Sequence, residues 1–151
     1  MTRLTVQLVE TALDADAAHA GFMADHGQAG AVATFTGTVR DEDGAVDHLY
    51  LDWYPGMTDA SVEAIAHDAA ARFALTALTI LHRVARVERG QAIVFVAAAS
   101  RHRRDALDAV DYAMDRLKSE AALWKRESGS GGERWIEPRA DDAHSLERWK
   151  R

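Results

Sequence analysis

The sequence of 151 residues contains no cysteine and only two prolines. Without cysteine the chain has no disulfide, thiolate zinc site, iron–sulfur cluster or cysteine nucleophile, so any sulfur chemistry needs sulfur from a partner. Two prolines leave no proline-rich linker. No apolar run approaches the ~18 residues of a membrane-spanning helix, and the first residues lack the long apolar core of a secretion signal. These absences predict a cytoplasmic protein with no membrane partner.

The residues that are present fit one domain. Hydrophobic residues make up 48% of the chain and charged residues 28%, and a chain of this length buries roughly 68–70% of its unfolded surface. Eighteen basic residues against 24 acidic ones give a net charge of −6, which argues against a nucleic-acid partner. We expect a single domain over residues 1–151, with a polar C-terminal tail from about residue 138.

Alternation of apolar and polar residues predicts seven strands. They cover residues 4–8, 30–40, 45–54, 78–84, 92–99, 123–127 and 133–137. Asp43-Gly44 indicates a hairpin turn between the second and third strands. A polar turn around 88–90 joins the fourth and fifth strands, and the glycine-rich loop 128–132 makes a hairpin of the last two.

Capping residues and apolar stripes predict the helices. Asp14 or Asp16 caps a first helix that ends near Gly27, Thr58 caps a second, and Ser100 caps a third. The apolar stripes of the second and third helices are Val62, Ile65, Ala69 and Phe73, and Leu107, Val110, Met114 and Leu117. A short terminal helix fits residues 141–150. Strands interleaved with helices, together with antiparallel hairpins, predict the α+β class.

Basic residues crowd the predicted start of the third helix, where Arg101-His102-Arg103-Arg104 directly follows Ser100. A helix N-terminus carries partial positive charge and usually attracts acidic residues. An anion bound by backbone N–H groups and guanidinium groups would explain the cluster. A solvated basic turn, offset by Asp105 and Asp108, explains it equally well.

Two lysines are candidates for chemistry. Lys118 falls near the end of the third helix, where a lysine is electrostatically favourable and needs no further role. Lys125 lies on a predicted strand beside Trp124, Arg126 and Glu127. A lysine packed against other cations has a lowered pKa and can act as a nucleophile or a general acid/base. The alternative is an exposed strand face.

The remaining polar signals are local. Arg40 ends the second strand beside the acidic turn 41–43, so it serves either a salt bridge or a site at the strand end. The seven histidines show no metal-binding spacing, and no phosphate-loop motif occurs. We therefore predict no metal and no cofactor.

Five short motifs in order resemble those of the large, catalytic subunit of molybdopterin synthase. They are Phe35-Thr36-Gly37-Thr38-Val39-Arg40, Tyr54-Pro55-Gly56-Met57, His102-Arg103, Leu117-Lys118 and Trp124-Lys125-Arg126-Glu127. The similarity runs over nearly the whole chain, and five motifs with compatible gaps are far more specific than any one. The resemblance implies an α/β hammerhead-type domain that forms a homodimer.

That family's activity is implied in the same way. Its members transfer sulfur from a thiocarboxylated ubiquitin-like small subunit to cyclic pyranopterin monophosphate, forming the dithiolene of molybdopterin for molybdenum cofactor biosynthesis. The thiocarboxylate is carried on the small subunit's C-terminal Gly-Gly, and one small subunit binds at each end of a heterotetramer. An external sulfur donor agrees with the absence of cysteine from this chain.

The resemblance also assigns roles to residues. Lys118 and Lys125 match the family's catalytic lysines. The substrate pocket is implied to contain Thr38, Val39, Arg40, His102, Arg103, Arg126 and Glu127, with Arg139 a further candidate from this protomer or the second one.

Two other functions fit the same residues. A non-catalytic dimer that binds phosphate or a nucleotide would use the basic cluster for regulation and would require neither lysine. A scaffold for a ubiquitin-like protein would need a docking groove but no anion site.

Overall fold

Two four-stranded sheets and four α-helices make up the computed structural model, which describes residues 1–136 and 140–150. The strands are β1 (Arg3–Val9), β2 (Ala31–Thr38), β3 (Val46–Trp53), β4 (Ala77–Arg83), β5 (Ala85–Glu88), β6 (Ala92–Ser100), β7 (Leu123–Gly129) and β8 (Gly132–Ile136). The helices are α1 (Ala15–His26), α2 (Met57–Arg72), α3 (Arg103–Glu120) and α4 (Ala140–Glu147). The predicted α+β class is confirmed. Along the described ranges, no helix combines the length and the hydropathy needed to cross a membrane.

The two sheets divide the strands in an order that the sequence did not reveal. The first sheet has the order β1-β4-β6-β2, with β1 parallel to β4, and the second has the antiparallel order β5-β3-β7-β8. The predicted hairpin between the second and third strands is therefore wrong. Asp43 and Gly44 do turn the chain, at φ 56° and 84°, but the turn sends it from one sheet to the other.

Helices α2 and α3 bury one face of the first sheet. Val62, Ile65 and Ala69 of α2 pack with Leu78 and Ile80 of β4 in the largest apolar cluster. Phe22 of α1 packs on the opposite face, in a smaller cluster. The second sheet has its own apolar face, formed by Val39, Val46, Leu49, Leu51 and Val87. Leu49 and Leu51 thus lie on the buried face that the alternation in β3 predicts.

Two predicted helix caps are wrong because their hydroxyl groups bond to distant carbonyl groups. Thr58 lies inside α2, where Oγ1 accepts from the Tyr54 N–H (2.9 Å) and donates to the Ala122 carbonyl oxygen (2.6 Å). Ser100 is the last residue of β6, and its Oγ donates to the Ala74 carbonyl oxygen (2.7 Å). The Thr58 bond ties the start of α2 to the residue just before β7, the strand that carries Lys125.

Ala85 begins a short strand, β5, that the sequence analysis missed. Its φ of 64° lies in the left-handed region, which costs an alanine about 1–2 kcal/mol. Ala85→Gly should raise the free energy of unfolding by about 0.5–1 kcal/mol after the entropy cost of glycine is subtracted. Urea unfolding measures the change. The matched control is Ala64→Gly in the exposed middle of α2, which should lower stability by about 1 kcal/mol. A loss of stability at both positions would contradict the account.

Candidate functional site

Lys125 on β7 and Lys118 at the end of α3 lie close enough to interact electrostatically. On β7, Lys125 pairs with Leu51 of β3 on one side and with Ile136 of β8 on the other. Strand alternation therefore places Lys125 on the same face as the buried Leu51, and its side chain is partly buried. Lys118, in the last turn of α3, is exposed.

The two lysines interact electrostatically. Burial, and then the positive charge of Lys118, lower the pKa of Lys125 to about 8, although the nearby carboxylate of Asp142 opposes the shift. A pKa this close to neutrality gives Lys125 both a protonated and a neutral form at physiological pH. The two lysines that the resemblance names thus lie within electrostatic range of each other and differ in exposure.

The lowered pKa also predicts a cost to stability. The folded protein binds the Lys125 proton more weakly than the unfolded chain, whose pKa is near 10.5. The cost is therefore complete below the folded pKa of about 8 and vanishes as the pH rises through 10.5. Lys125→Met should raise the free energy of unfolding at about pH 7, and by less at about pH 10. Urea titrations of this variant and of the exposed control Lys150→Met measure the difference. An equal loss of stability at both pH values would contradict it.

A buried histidine lies close to both lysines. His82, near the end of β4, is 5% exposed. Its pKa is lowered chiefly by burial and further by the positive charges of Lys125 and Lys118. Sequence reasoning missed His82 because no metal-binding spacing or other motif marks it. Its signal was its place in a strand of apolar residues. Along the described parts of the chain, no group of histidine and carboxylate side chains is arranged to hold a metal ion.

The segment from Thr38 to Arg40 ends at the lysine side of the molecule. Thr38 pairs with Ala92, the first residue of β6. Val39 is buried, its N–H donates to the Gln91 carbonyl oxygen (3.0 Å), and its own carbonyl accepts from the Gly90 N–H (2.9 Å). With side chain and backbone both engaged, Val39 fixes where the exposed Arg40 emerges.

His102 and Arg103 lie at the other end of α3. His102 is the N-cap residue and provides no side-chain cap, so the first-turn N–H groups have no side-chain acceptor from it. In the described part of the chain no carboxylate pairs with Arg103, whereas Arg104 approaches Asp108 (3.8 Å). Fifteen residues separate Arg103 from Lys118, which corresponds to about 22 Å along a helix. Within one chain the basic cluster and the lysines are therefore far apart.

Arg126 points away from Lys125. Its guanidinium group makes two hydrogen bonds to Asp52 (2.7 and 3.1 Å) and a third to Glu133 (3.1 Å). It also stacks over the rings of Tyr50 and Trp135, at 4.5 and 5.4 Å from their centroids. Adjacent strand residues face opposite sides, so an anion at Lys125 would not meet this guanidinium group in the same protomer.

Glu127 returns to the face that holds Lys125. Its carboxylate accepts a hydrogen bond from Arg134 Nε (2.7 Å). Arg139, the last of the predicted pocket residues, lies outside the described residues. Of the predicted site residues, Lys125 and Glu127 thus share one face of β7, and Lys118 lies near that face. The segment from Thr38 to Arg40 lies at the end of the first sheet that Lys118 approaches.

A cleft of about 370 Å³ opens between β2 and the first half of α3. Its lining includes Phe35, Arg104 and Leu107. Leu107 of the predicted apolar stripe is 50% exposed, whereas Val110 and Leu117 of the same stripe are buried. The cleft lies toward the basic end of α3 rather than at the lysines.

Comparison with known proteins finds relatives of this chain in sequence and in structure. The family model described as MoaE protein matches residues 8–120. The molybdopterin synthase catalytic subunit of Caulobacter vibrioides is 52% identical over 128 residues, which are 85% of this chain and 85% of that protein. The one from Mesorhizobium japonicum is 39% identical over 97% of this chain and 93% of that protein. A solved MoaE protein from Burkholderia ambifaria superposes with a TM-score of 0.77 at 39% identity and covers 99% of this chain and 98% of that one.

Proposed function

Because the chain belongs to the MoaE family of molybdopterin synthase catalytic subunits, we propose that it transfers sulfur from a thiocarboxylated ubiquitin-like small subunit to cyclic pyranopterin monophosphate. The product is the dithiolene of molybdopterin. The observation that carries this proposal is the pairing of Lys118 with a partly buried Lys125 whose pKa is lowered to about 8. Two lysines with different exposure can perform two different tasks.

The lysines divide the work between binding a negative charge and moving a proton. The exposed ammonium group of Lys118 attracts the thiocarboxylate, whose charge is delocalised over sulfur and oxygen. Each sulfur attacks the pterin side chain and displaces an oxygen from it, and Lys125, which exchanges a proton near neutral pH, protonates the oxygen that leaves. Each sulfur delivered leaves the small subunit with an ordinary carboxylate, after water replaces the lost sulfur. Two thiocarboxylates are therefore consumed for each dithiolene.

The length of α3 supports a site assembled from two protomers. Arg103 and Lys118 of one chain are separated by about 22 Å, much farther than one pterin monophosphate can reach. Both groups can touch the same substrate if His102 and Arg103 of one protomer meet Lys118 and Lys125 of its partner. A two-fold dimer would contain two such sites, since each protomer contributes one half to each.

The phosphate end of the substrate is assigned to the basic start of α3. Arg103 has no carboxylate partner in the described part of the chain, and first-turn N–H groups are available beside it. Arg103→Ala should weaken binding of the phosphorylated pterin by about 1.5–3 kcal/mol, the scale of one charge-assisted hydrogen bond. Binding of the small subunit should not change.

Calorimetry with each ligand in turn checks this prediction. The control is Arg148→Ala, which removes another exposed arginine, one that pairs with Asp111 and Asp115 (2.7 Å each) and is not among the implied pocket residues. If the wild type and Arg103→Ala bound the pterin with equal affinity, the basic cluster at residues 101–104 would be a solvated turn and not a phosphate site.

The small-subunit partner is proposed to enter through an extended tail. A Gly-Gly terminus carries no side chains, so it can follow a narrow path to a partly buried lysine. The absence of cysteine from this chain supports an external sulfur donor.

Deleting the partner's last two glycines tests this function. The deletion should abolish sulfur transfer while the globular surfaces still dock, as measured by calorimetry. Inorganic sulfide supplied in place of the thiocarboxylated protein should yield no comparable rate. If sulfide alone matched the full complex, the carrier mechanism would be wrong.

A further inference from the structure

His82 is a buried histidine beside the lysine pair to which the proposed function gives no task. It continues the row formed by Leu78 and Ile80 on the face of the first sheet that α2 and α3 cover. Its neighbour across the sheet is Val94, near the start of β6. Since α3 runs back along β6, this start is the end of the sheet that Lys118 approaches. The imidazole therefore lies at the inner side of the lysine site.

The hydrogen bonding of the ring fixes which nitrogen carries the proton. Nδ1 lies 2.7 Å from the Arg83 carbonyl oxygen. A carbonyl only accepts, so Nδ1 donates and Nε2 of the neutral ring carries a lone pair. In the part of the chain that the structure describes, no residue donates to Nε2. Burial, opposed by the Arg83 bond and reinforced by the charges of Lys125 and Lys118, lowers the pKa of His82 to about 4.

We propose that His82 is a positioning residue for Lys125: its Nε2 accepts a hydrogen bond from the Lys125 ammonium group when substrate closes the site. Such bonds are often long in the free enzyme and tighten in the complex. An ammonium group has three donors, and holding one of them inward directs the other two outward to the reacting sulfur. The proposal rests on the sulfur-transfer function described above.

The charges around Lys125 explain why a neutral acceptor suits this position. Lys118 on α3 repels the ammonium group, and Asp142 on α4 attracts it. A carboxylate at position 82 would hold Lys125 protonated, because an opposite charge raises the pKa of a lysine. A neutral imidazole can orient the ammonium group without such a large effect on its pKa.

Substitution of His82 by asparagine or by glutamine distinguishes the roles of the two ring nitrogens. In His82→Asn the amide reaches the place of Nδ1 and can still donate to the Arg83 carbonyl, but nothing replaces Nε2. In His82→Gln the longer side chain supplies an acceptor near Nε2 and gives up the Nδ1 bond. The control is His67→Asn, which changes an exposed histidine on α2.

The assay is steady-state turnover of the complex with thiocarboxylated small subunit and pterin. We expect His82→Asn to lower kcat by at least about tenfold, the scale of one lost hydrogen bond to a charged group, with little change in KM for the pterin. His82→Gln should stay close to the wild type. If the Gln variant were the weaker of the two, or both matched the wild type, the proposal would be overturned, because the ring would then serve only the Arg83 bond or packing.

A measurement on the wild-type chain separates this inference from the proposed function and does not depend on the variants folding. Nitrogen NMR of the imidazole should show an unprotonated Nε2 at neutral pH in the free chain and, once the pterin is bound, a shift that follows the titration of Lys125. A proton on Nε2 of the free chain, or no response to the Lys125 titration with the pterin bound, overturns the inference. Failure of sulfur transfer with this NMR response intact would instead count against the proposed function.

Discussion

Lys125→Ala is expected to lower the turnover of the reconstituted complex by about 10²–10⁴-fold, the range that a positioned general acid or base contributes. The fold should remain intact, because the variant removes a charge that is disfavoured in the folded state. Thermal unfolding recorded beside turnover distinguishes lost chemistry from lost structure. Lys118→Ala should also abolish most turnover, since the thiocarboxylate would lose its cation.

Two further lysine variants test why turnover is lost. Lys150→Ala removes another exposed lysine, one paired with Glu147 (2.8 Å) in the C-terminal segment, and should keep normal turnover. Lys125→Arg retains the positive charge but cannot release a proton near neutral pH. If Lys125→Arg restored full activity, proton exchange would not be the task of Lys125. If Lys125→Ala and Lys118→Ala were both close to normal, the non-catalytic binding dimer would be favoured.

Mixed dimers of Lys125→Ala and Arg103→Ala chains are expected to be more active than either variant alone at pterin concentrations well below the KM of the wild type, where the weak binding of Arg103→Ala limits turnover. In a site shared by two protomers, one site of the mixed dimer combines both damaged halves and the other combines both intact halves. Random pairing makes about half of the dimers mixed, so total activity should approach about one quarter of the wild type.

The two variants are refolded together or produced together, and turnover is compared with that of each variant alone. The control mixes each variant with a chain carrying both substitutions, which restores no intact site. Activity no greater than the sum of the separate variants would place both groups in one chain, against the separation of about 22 Å along α3.

Local pattern was sufficient for much of the fold but not for its topology. Alternation in β3 correctly assigned Leu49 and Leu51 to a buried face. The turn at Asp43-Gly44 has the same local chemistry whether the strands that flank it pair or separate, so the sequence could not reveal that β2 and β3 enter different sheets. Thr58 and Ser100 resemble helix caps in sequence, yet each hydroxyl donates to a carbonyl group far along the chain.

The candidate site shows the same limit. Periodicity could not have brought Lys118 to Lys125, because one ends a helix and the other lies on a strand of the second sheet; only the family resemblance paired them. No motif marked His82, whose importance depends on burial and on neighbours distant in sequence. Strand alternation alone predicts that Arg126 and Lys125 face opposite sides of β7. The ion pairs of Arg126 with Asp52 and Glu133 could not be predicted, because they depend on the register of β3, β7 and β8.

The most direct test of sulfur transfer is incubation of the purified chain with thiocarboxylated small subunit and cyclic pyranopterin monophosphate, followed by mass analysis of the pterin. The account predicts a dithiolene product, with two thiocarboxylates converted to carboxylates for each pterin, and no product with Lys125→Ala. Binding of the pterin without any gain of sulfur, or equal product from the wild type and Lys125→Ala, would contradict it.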